Sequence, residues 1–583
     1  MKAACEQFDV AIVGLGPTGL TLAHTLGMRG LQVLVLEREP KFYGNARAVY
    51  TDGECMRIFQ SFGMAHTLSA DMLQDVPVQM VLPDGAVLLQ IKDTRRPHGW
   101  PAANFFYQPS LETALAEGLT RYPSVKVLRG REVRRFEQDA SGVEVYHVPT
   151  EGSGYCKSAP EPGAQPQPLP GEARVRAQYL VGADGGRSAV RTQLGIEMVG
   201  KSFPNPWLVV DLKLKDPADG LHHLPYFNFI CDPALPTVSC VQPDGHHRFE
   251  FMLMPGQTRE HMQHPDTIRH YLSKHIDVDK FEILRALVYT FNALMAQRWR
   301  EGRVLLAGDA AHMTPQFIGQ GMNAGVRDAF NLAWKLDAVI RGQAGEALLD
   351  TYERERRPHA HAMIREAERM KDFVSMVNPA GTLLRNALTR LITATPAIGR
   401  FLRQGDFIPK PTYAAGSYFG LPRASRRSAE GRMMPQPSVR GPDGRRRMLD
   451  ELTGNAFVLI GAGVDPRMTL SVDERALWDA LGARCVAIYE FGHRPTGNVD
   501  RAVPAGLIEM EDPEGTFFAW LRASGGRIGS VAIVRPDRFV FALVPARQVG
   551  AVTREVARQL HRTVASAVHS VPQALAPAMK EAA

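Results

Sequence analysis

Nothing in this 583-residue sequence approaches the ~18 uninterrupted apolar residues that a membrane span requires. A membrane-spanning helix is therefore excluded as an expectation. Cysteine is scarce: Cys5, Cys55, Cys156, Cys231, Cys240 and Cys485 are scattered, with no CxxC and no His-paired metal spacing. In a chain this long that reads as reduced thiols, with neither a disulfide framework nor a metal site. No internal repeat is visible. A signal-peptide pattern is missing too: MKAACEQFDVAIVG has one early Lys, then Glu6 and Asp9, and its apolar run enters a glycine turn. The expected location is the cytoplasm.

Acidic residues fall short of basic ones, giving a formal net charge of +7, but the excess is local. Eight Arg lie between Arg423 and Arg447 against only Glu430 and Asp443, in a Pro/Gly-rich stretch without interleaved aromatics. That pattern suits a solvated linker, not a base-stacking groove, and no nucleic-acid partner is expected. With 45% hydrophobic and 22% charged residues the composition is that of a globular protein, which excludes wholesale disorder, collagen and coiled coil. The length allows three or four domains, or fewer large ones.

The most informative stretch is FDVAIVGLGPTGLTLAHTLGMRGLQVLVLERE. It reads as strand, glycine turn, helix, strand within about thirty residues. Gly14, Gly16 and Gly19 stand in G-x-G-x-x-G spacing: the first permits a tight turn, the second lets backbone approach a pyrophosphate, and the third lets helix pack on strand. The helix N-terminus offers free N–H groups and a positive dipole to phosphate. Glu37, ending the second strand, is placed to accept from a ribose hydroxyl pair. A dinucleotide site is the expectation, and no second G-x-G-x-x-G exists.

Further on, 143–148 and the stretch from Ala173 read as strands around a Pro/Gly-rich flexible insertion at 149–172 without chemistry. Residues 205–300 suggest a largely antiparallel layer. VLLAG at 304–308 is a buried strand ending in Asp309, and an amphipathic helix follows Gly321, with Met322, Val326, Phe330, Ala333 and Leu336–Val339 as its core face. Beyond the Arg-rich stretch, β/α alternation resumes, closing with a hairpin that turns at Arg535-Pro536-Asp537.

Two more motifs, YLVGADGGRSAVRTQLG with Asp184 and GRVLLAGDAAHMTPQFIGQGMNAGVRDAFNLAWKL with Asp309, follow the fingerprint in order. Jointly the three resemble the single-component flavoprotein aromatic hydroxylases of the p-hydroxybenzoate hydroxylase fold. Asn45-Ala46-Arg47-Ala48, Gln108-Pro109-Ser110-Leu111-Glu112 and RPDRFVFAL look like its phenol-hydroxylase branch. HGWPAANFFYQPSLE and HRFEFMLMPGQT are most similar to bacterial hydroxylases of 3-(3-hydroxyphenyl)propionate. The resemblance implies an α/β fold: a Rossmann-like FAD-binding domain (1–200 and 301–400), an interleaved antiparallel substrate domain (201–300), a linker (401–449) and a thioredoxin-like domain without redox cysteines (450–583).

It also implies non-covalent FAD, NADH or NADPH as co-substrate, O2, and ortho hydroxylation of 3-(3-hydroxyphenyl)propionate or 3-hydroxycinnamate. A resorcinol-type phenol or a polyketide is the alternative substrate, and a non-oxygenase flavoprotein the more distant reading. A homodimer is compatible with the resemblance. In residue terms, Gly14, Gly16, Gly19 and Glu37 would hold the ADP half, Arg47 a pyrophosphate oxygen, and Gln108 and Asp309 the ribityl chain. Asp184 would touch FAD and the pyridine nucleotide. Gly321, Met322 and Asn323 would present N–H groups to the negative pyrimidine edge of reduced flavin. Pro315 would line the oxygen side. Asp52 admits two readings, a base that ionises the phenol or a turn residue in Thr51-Asp52-Gly53; Asp309 and Asp184 likewise double as turn or cap residues. Arg248, on a strand facing the same side as Glu250, is the candidate for the substrate carboxylate.

Overall fold

The computed structural model describes residues 6–42, 47–150, 171–221, 223–413, 428–495 and 504–561. Asn45, Ala46, the body of the 149–172 insertion and residues 414–427 of the Arg-rich stretch lie outside them. Among the described residues no helix is long and apolar enough to cross a membrane. The chain divides into two compact units, Met1–Arg96 with Trp100–Ala333 and Arg356–Lys410, and Pro97–Gly99 with Trp334–Glu355 and Pro411–Ala583.

The first unit is built on an eight-stranded sheet. Five strands run parallel in the order Val304–Leu306, Ala173–Gly182, Gln7–Val13, Val33–Glu37, Val125–Arg129. Apolar runs such as VAIV and VLVL suit strands covered on both faces. Register matters more than count here. Val13 lies beside Gly182 and Leu36, and Gly182 beside Leu306. The strands that precede Gly14, Glu37, Asp184 and Asp309 therefore end at one edge, the carboxyl edge where open α/β sheets bind ligands. The hairpin Gly142–Pro149 with Ala173–Gly182 flanks the insertion as the alternation suggests.

The antiparallel layer has seven strands, ordered Phe281–Tyr289, Trp207–Leu214, His246–Met252, Thr237–Val241, Phe227–Ile230, Val78–Val81, Val87–Ile91. Leu208, Val210, Phe249 and Phe251 from the sheet and Leu272 from the helix Pro265–Leu272 form its core. This corrects the expected 201–300 boundary, because two of the strands come from 78–91, and Phe227–Ile230 pairs in parallel with the first of them, Val78–Val81.

In the second unit a seven-stranded sheet runs Arg446–Met448, Ser438–Arg440, Leu507–Asp512, Arg484–Glu490, Val458–Ala462, Ser530–Val534, Val540–Pro545. Its alternating side chains feed two cores: Leu459, Val531 and Ile533 in one, Val458, Ile460 and Ala532 in the other. The expected 401–449 linker is corrected as well. Val439 and Leu449 are buried in the second core, so the later part of that stretch is sheet and not tether. The hairpin turns at Arg535, whose N–H reaches Phe539 O at 2.9 Å.

Candidate functional site

The fingerprint glycines divide by what surrounds them. Gly14 sits at φ +103°, and a Cβ there would lie 2.5 Å from Ala183 O; one on Gly19 would lie 2.0 Å from Gly14 O. Both positions are closed to any side chain by backbone. Gly16 and Gly185 face open space, and a Cβ on Gly321 would meet only Thr314 O at 3.9 Å. These openings lie at the carboxyl edge of the sheet and at two helix N-termini, where a phosphate-bearing ligand fits. Glu37 closes the turn: its carboxylate accepts from Leu15 N at 2.7 Å and from Glu39 N at 2.8 Å.

Around the second opening, Asp309 lies in the short turn Gly308–Ala310 with its side chain 40% exposed, 3.9 Å from the Arg47 guanidinium. Gly308 and Gly325 both close on Thr18, which locks the fingerprint helix Pro17–Gly27, the Asp309 turn and the helix Gly321–Ile340 together. Fully buried Asp328 holds the same turn from below. It accepts from Gly308 N at 3.1 Å, His312 Nε2 at 2.6 Å and Arg356 Nε at 2.9 Å. Burial pushes its carboxyl up, but His312 and Arg356 outweigh that and hold it below the usual range.

Asp184 lies beside Gly14, where its Oδ2 accepts from Val190 N at 3.2 Å; burial raises its carboxyl. Gln108 is buried with Oε1 accepting from Arg47 N at 2.5 Å and Ala48 N at 2.7 Å, while Nε2 donates to Glu112 at 2.5 Å. Its amide thus holds the Arg47 segment, with one N–H of Nε2 left beyond the bond to Glu112. Pro315 is buried and caps the turn Gln316–Ile318, whose Phe317 packs edge-on against Trp207 and Phe291 at 5.3 and 5.4 Å. Of the helix that follows, Val326, Phe330, Ala333 and Leu336 are buried as the periodicity indicates, whereas Met322 is half-buried at the open end. The first N–H groups of that helix, Gly321 to Asn323, have no intrahelical acceptors. Asn323 spends its side chain otherwise, donating to Gly319 O at 2.8 Å and accepting from Thr51 Oγ1 at 2.9 Å.

Two expected roles are overturned by geometry. Asp52 is the N-cap of the helix Gly53–Ser61, accepting from Cys55 N at 3.0 Å, and its other oxygen takes Gln320 Nε2 at 3.2 Å and the Arg327 guanidinium. Burial pushes its carboxyl up, but Arg327 and these donors hold it below the usual range. A carboxylate so engaged is a poor proton acceptor, so the cap reading replaces the base. Arg248, only 1% exposed, donates to Asp211 at 2.6 Å and to Arg47 O at 2.7 Å. A guanidinium already neutralised and sealed has nothing to offer a substrate carboxylate. Thr18, Gln320, Arg327, Asp328 and Arg356 were missed in the sequence. The signal was there for Arg327 and Asp328: charges inside an apolar helical run must be paired when buried.

Comparison with known proteins follows the same lines. A family model described as "FAD binding domain" matches residues 7–367, and one described as "HcaD C-terminal domain" matches residues 431–559. The chain is 34% identical to the 3-(3-hydroxy-phenyl)propionate/3-hydroxycinnamic acid hydroxylase of Comamonas testosteroni, over 96% of this chain and 98% of that one. Identity to the enzyme of the same name from Burkholderia cenocepacia (strain HI2424) is 37%, over 94% and 96%. Among solved structures, the flavin-dependent monooxygenase PieE in complex with FAD and substrate superposes with a TM-score of 0.77 at 21% identity, covering 96% of this chain and 99% of that one. Aklavinone-11 hydroxylase with FAD and aklavinone gives 0.72 at 24% identity, covering 96% and 100%. The shared fold extends over both units.

Proposed function

This chain belongs to the FAD-binding-domain family of flavin-dependent hydroxylases, and from that premise we propose that it hydroxylates 3-(3-hydroxyphenyl)propionate and 3-hydroxycinnamate next to the ring hydroxyl, giving the 2,3-dihydroxy product. The observation that carries the substrate is the 34–37% identity to hydroxylases of that name over at least 94% of both chains. FAD held there would supply a hydride acceptor for NADH or NADPH and a means of activating O2, one oxygen atom going to the electron-rich ring and the other leaving as water.

The residues then divide the work. The openings at Gly16 and Gly185 receive the dinucleotide, with Glu37 and Asp184 at their rims. Arg47 and Asp309, 3.9 Å apart, would hold the middle of the cofactor. The N-terminus of the helix Gly321–Ile340 favours negative charge by roughly 0.3–1 kcal/mol, more where partly buried, so Gly321 and Met322 suit the reduced, anionic pyrimidine edge. Pro315 has no N–H, and Phe317, Trp207 and Phe291 give an apolar wall that keeps water from the oxygen side. We read the enzyme as cytoplasmic and homodimeric, and its C-terminal domain as thioredoxin-like on strand order and the lack of a dithiol.

The test is direct. The purified protein should be yellow and release FAD on denaturation. Supplied with reduced nicotinamide, it should convert 3-(3-hydroxyphenyl)propionate to a catechol with little peroxide, and convert resorcinol and polyketide phenols poorly. A protein that takes up no FAD, or that reduces O2 only to peroxide with every phenol offered, would end this reading.

A further inference from the structure

One strand of the antiparallel sheet touches both loops that the proposed reading gives to the flavin. In the strand His246–Met252 the two-residue repeat puts Arg248 and Glu250 on one face. Arg248 reaches the first loop, where its Nη1 donates to Arg47 O at 2.7 Å. The other side of the same residue is held by Gln108, which accepts from Arg47 N. Glu250 reaches the second loop: its two oxygens both lie 2.8 Å from Gln316 Nε2, one residue after Pro315.

The strand can carry these contacts because its charges close among themselves. Asp211, on the neighbouring strand, binds Arg248 at 2.6 Å and Arg285 at 2.5 Å, and Arg248 lies 4.0 Å from Glu250. Two acids and two guanidinium groups make a neutral set, buried except for half-buried Arg285, an arrangement in which charges persist away from water. Burial still pushes the Glu250 carboxyl up against the pull of Arg248 and Gln316. A structural ion pair alone would need no amide from a loop. Here the amide comes from the turn that follows Pro315.

We propose that Arg248 and Glu250 are positioning residues, two arms of a brace by which the substrate-domain strand sets the Arg47 loop and the Pro315–Ile318 turn relative to each other. The inference rests on the reading that both loops line FAD. Its consequence is chemical. A displacement near 1 Å at a reacting centre can cost about 10²-fold, so releasing the Gln316 arm should divert turnover from hydroxylation to peroxide.

Gln316→Met removes the amide from a half-buried turn at little risk to folding, and Glu250→Gln removes the charge. Each should raise peroxide and lower catechol per nicotinamide consumed, on the order of tenfold for Gln316→Met. The visible spectrum of FAD added to apoprotein should shift in the same variants, independently of turnover. The exchange E250Q/Q316E restores a carboxylate–amide pair with the partners reversed, and should recover most of the product yield. Melting temperature and FAD content, measured alongside, separate the brace from simple unfolding. Wild-type product-to-peroxide ratios in Gln316→Met and Glu250→Gln at full FAD content would overturn the brace. So would an exchange variant as uncoupled as the single ones. Absence of FAD or of hydroxylation in the wild-type protein would instead sink the proposed function itself.

Discussion

At the scale of single residues, Gly16 and Gly19 belong to one motif yet answer to different partners. A Cβ at Gly16 meets no atom beyond its chain neighbours within 4 Å, and its backbone is extended at φ −75°, a region open to any residue. Gly16→Val should therefore leave the melting temperature of the apoprotein within a degree or two, while FAD affinity falls by tenfold or more, the equivalent of at least about 1.4 kcal/mol. Gly19→Val drives its Cβ into Gly14 O and should deny the protein its fold. Thermal melts and FAD titration of the two apoproteins check the contrast; a Gly16→Val protein that binds FAD normally would mean that the opening holds no pyrophosphate. Both glycines were legible in the sequence because their constraint is local. Arg248 was misread for the opposite reason. Alternation gives the face of its strand, but not that Asp211, 37 residues away, already neutralises it.

Among the elements, the helix Gly321–Ile340 does more than present its N-terminus. Asp328 ties its second turn to Gly308, His312 and Arg356 in one buried cluster. Asp328→Ala leaves the Arg356 guanidinium buried without this carboxylate and should cost about 3–5 kcal/mol, with the Asp309 turn loosened and FAD retention reduced. The pH dependence has a definite sign. The carboxyl is held lower in the folded chain than in the unfolded one, near 3.9. Its contribution is thus present above that value and lost as pH falls through the folded one. Chemical denaturation of both proteins from pH 7 into acid should show the stability gap narrowing; a constant gap would remove Asp328 from the charge cluster. The helix itself was readable from its 3.6-residue apolar period. Its charged partners were not, since Arg327 meets an aspartate 275 positions away. The strands Val78–Val81 and Val87–Ile91 escaped for a related reason: each is short, and the strand that joins their hairpin to the sheet, Phe227–Ile230 beside Val78–Val81, comes much later in the chain.

For the whole molecule, the division of the chain does not follow a single cut. Trp334, Ala338, Ala344 and Leu348 lie in the same buried core as Phe457, Leu459, Ile533 and Val556. A fragment ending at residue 449 would keep the first four and lose the surface that covers them. It should be recovered as aggregate, or with a far lower melting temperature, where a cleanly separable domain would leave a soluble yellow fragment. Soluble yield and FAD content of the truncated chain decide the matter. Composition could announce a second α/β region, but not that residues 334–355 belong to its core, because the single helix Gly321–Ile340 begins in one unit and ends in the other.

The four described cysteines acquire a meaning in this setting. Cys55, Cys231, Cys240 and Cys485 are all buried. Burial pushes the thiols of Cys231 and Cys485 up to about 11 and holds those of Cys55 and Cys240 well above their ordinary range. Oxidants attack the thiolate, and sulfur kept protonated and out of reach is slow to enter the ladder from sulfenic to sulfonic acid. A flavin hydroxylase makes peroxide at its own centre whenever oxygen transfer fails. In this protein the four described thiols are kept protonated and buried, so that the peroxide of a wasted turnover meets no ready thiolate among them.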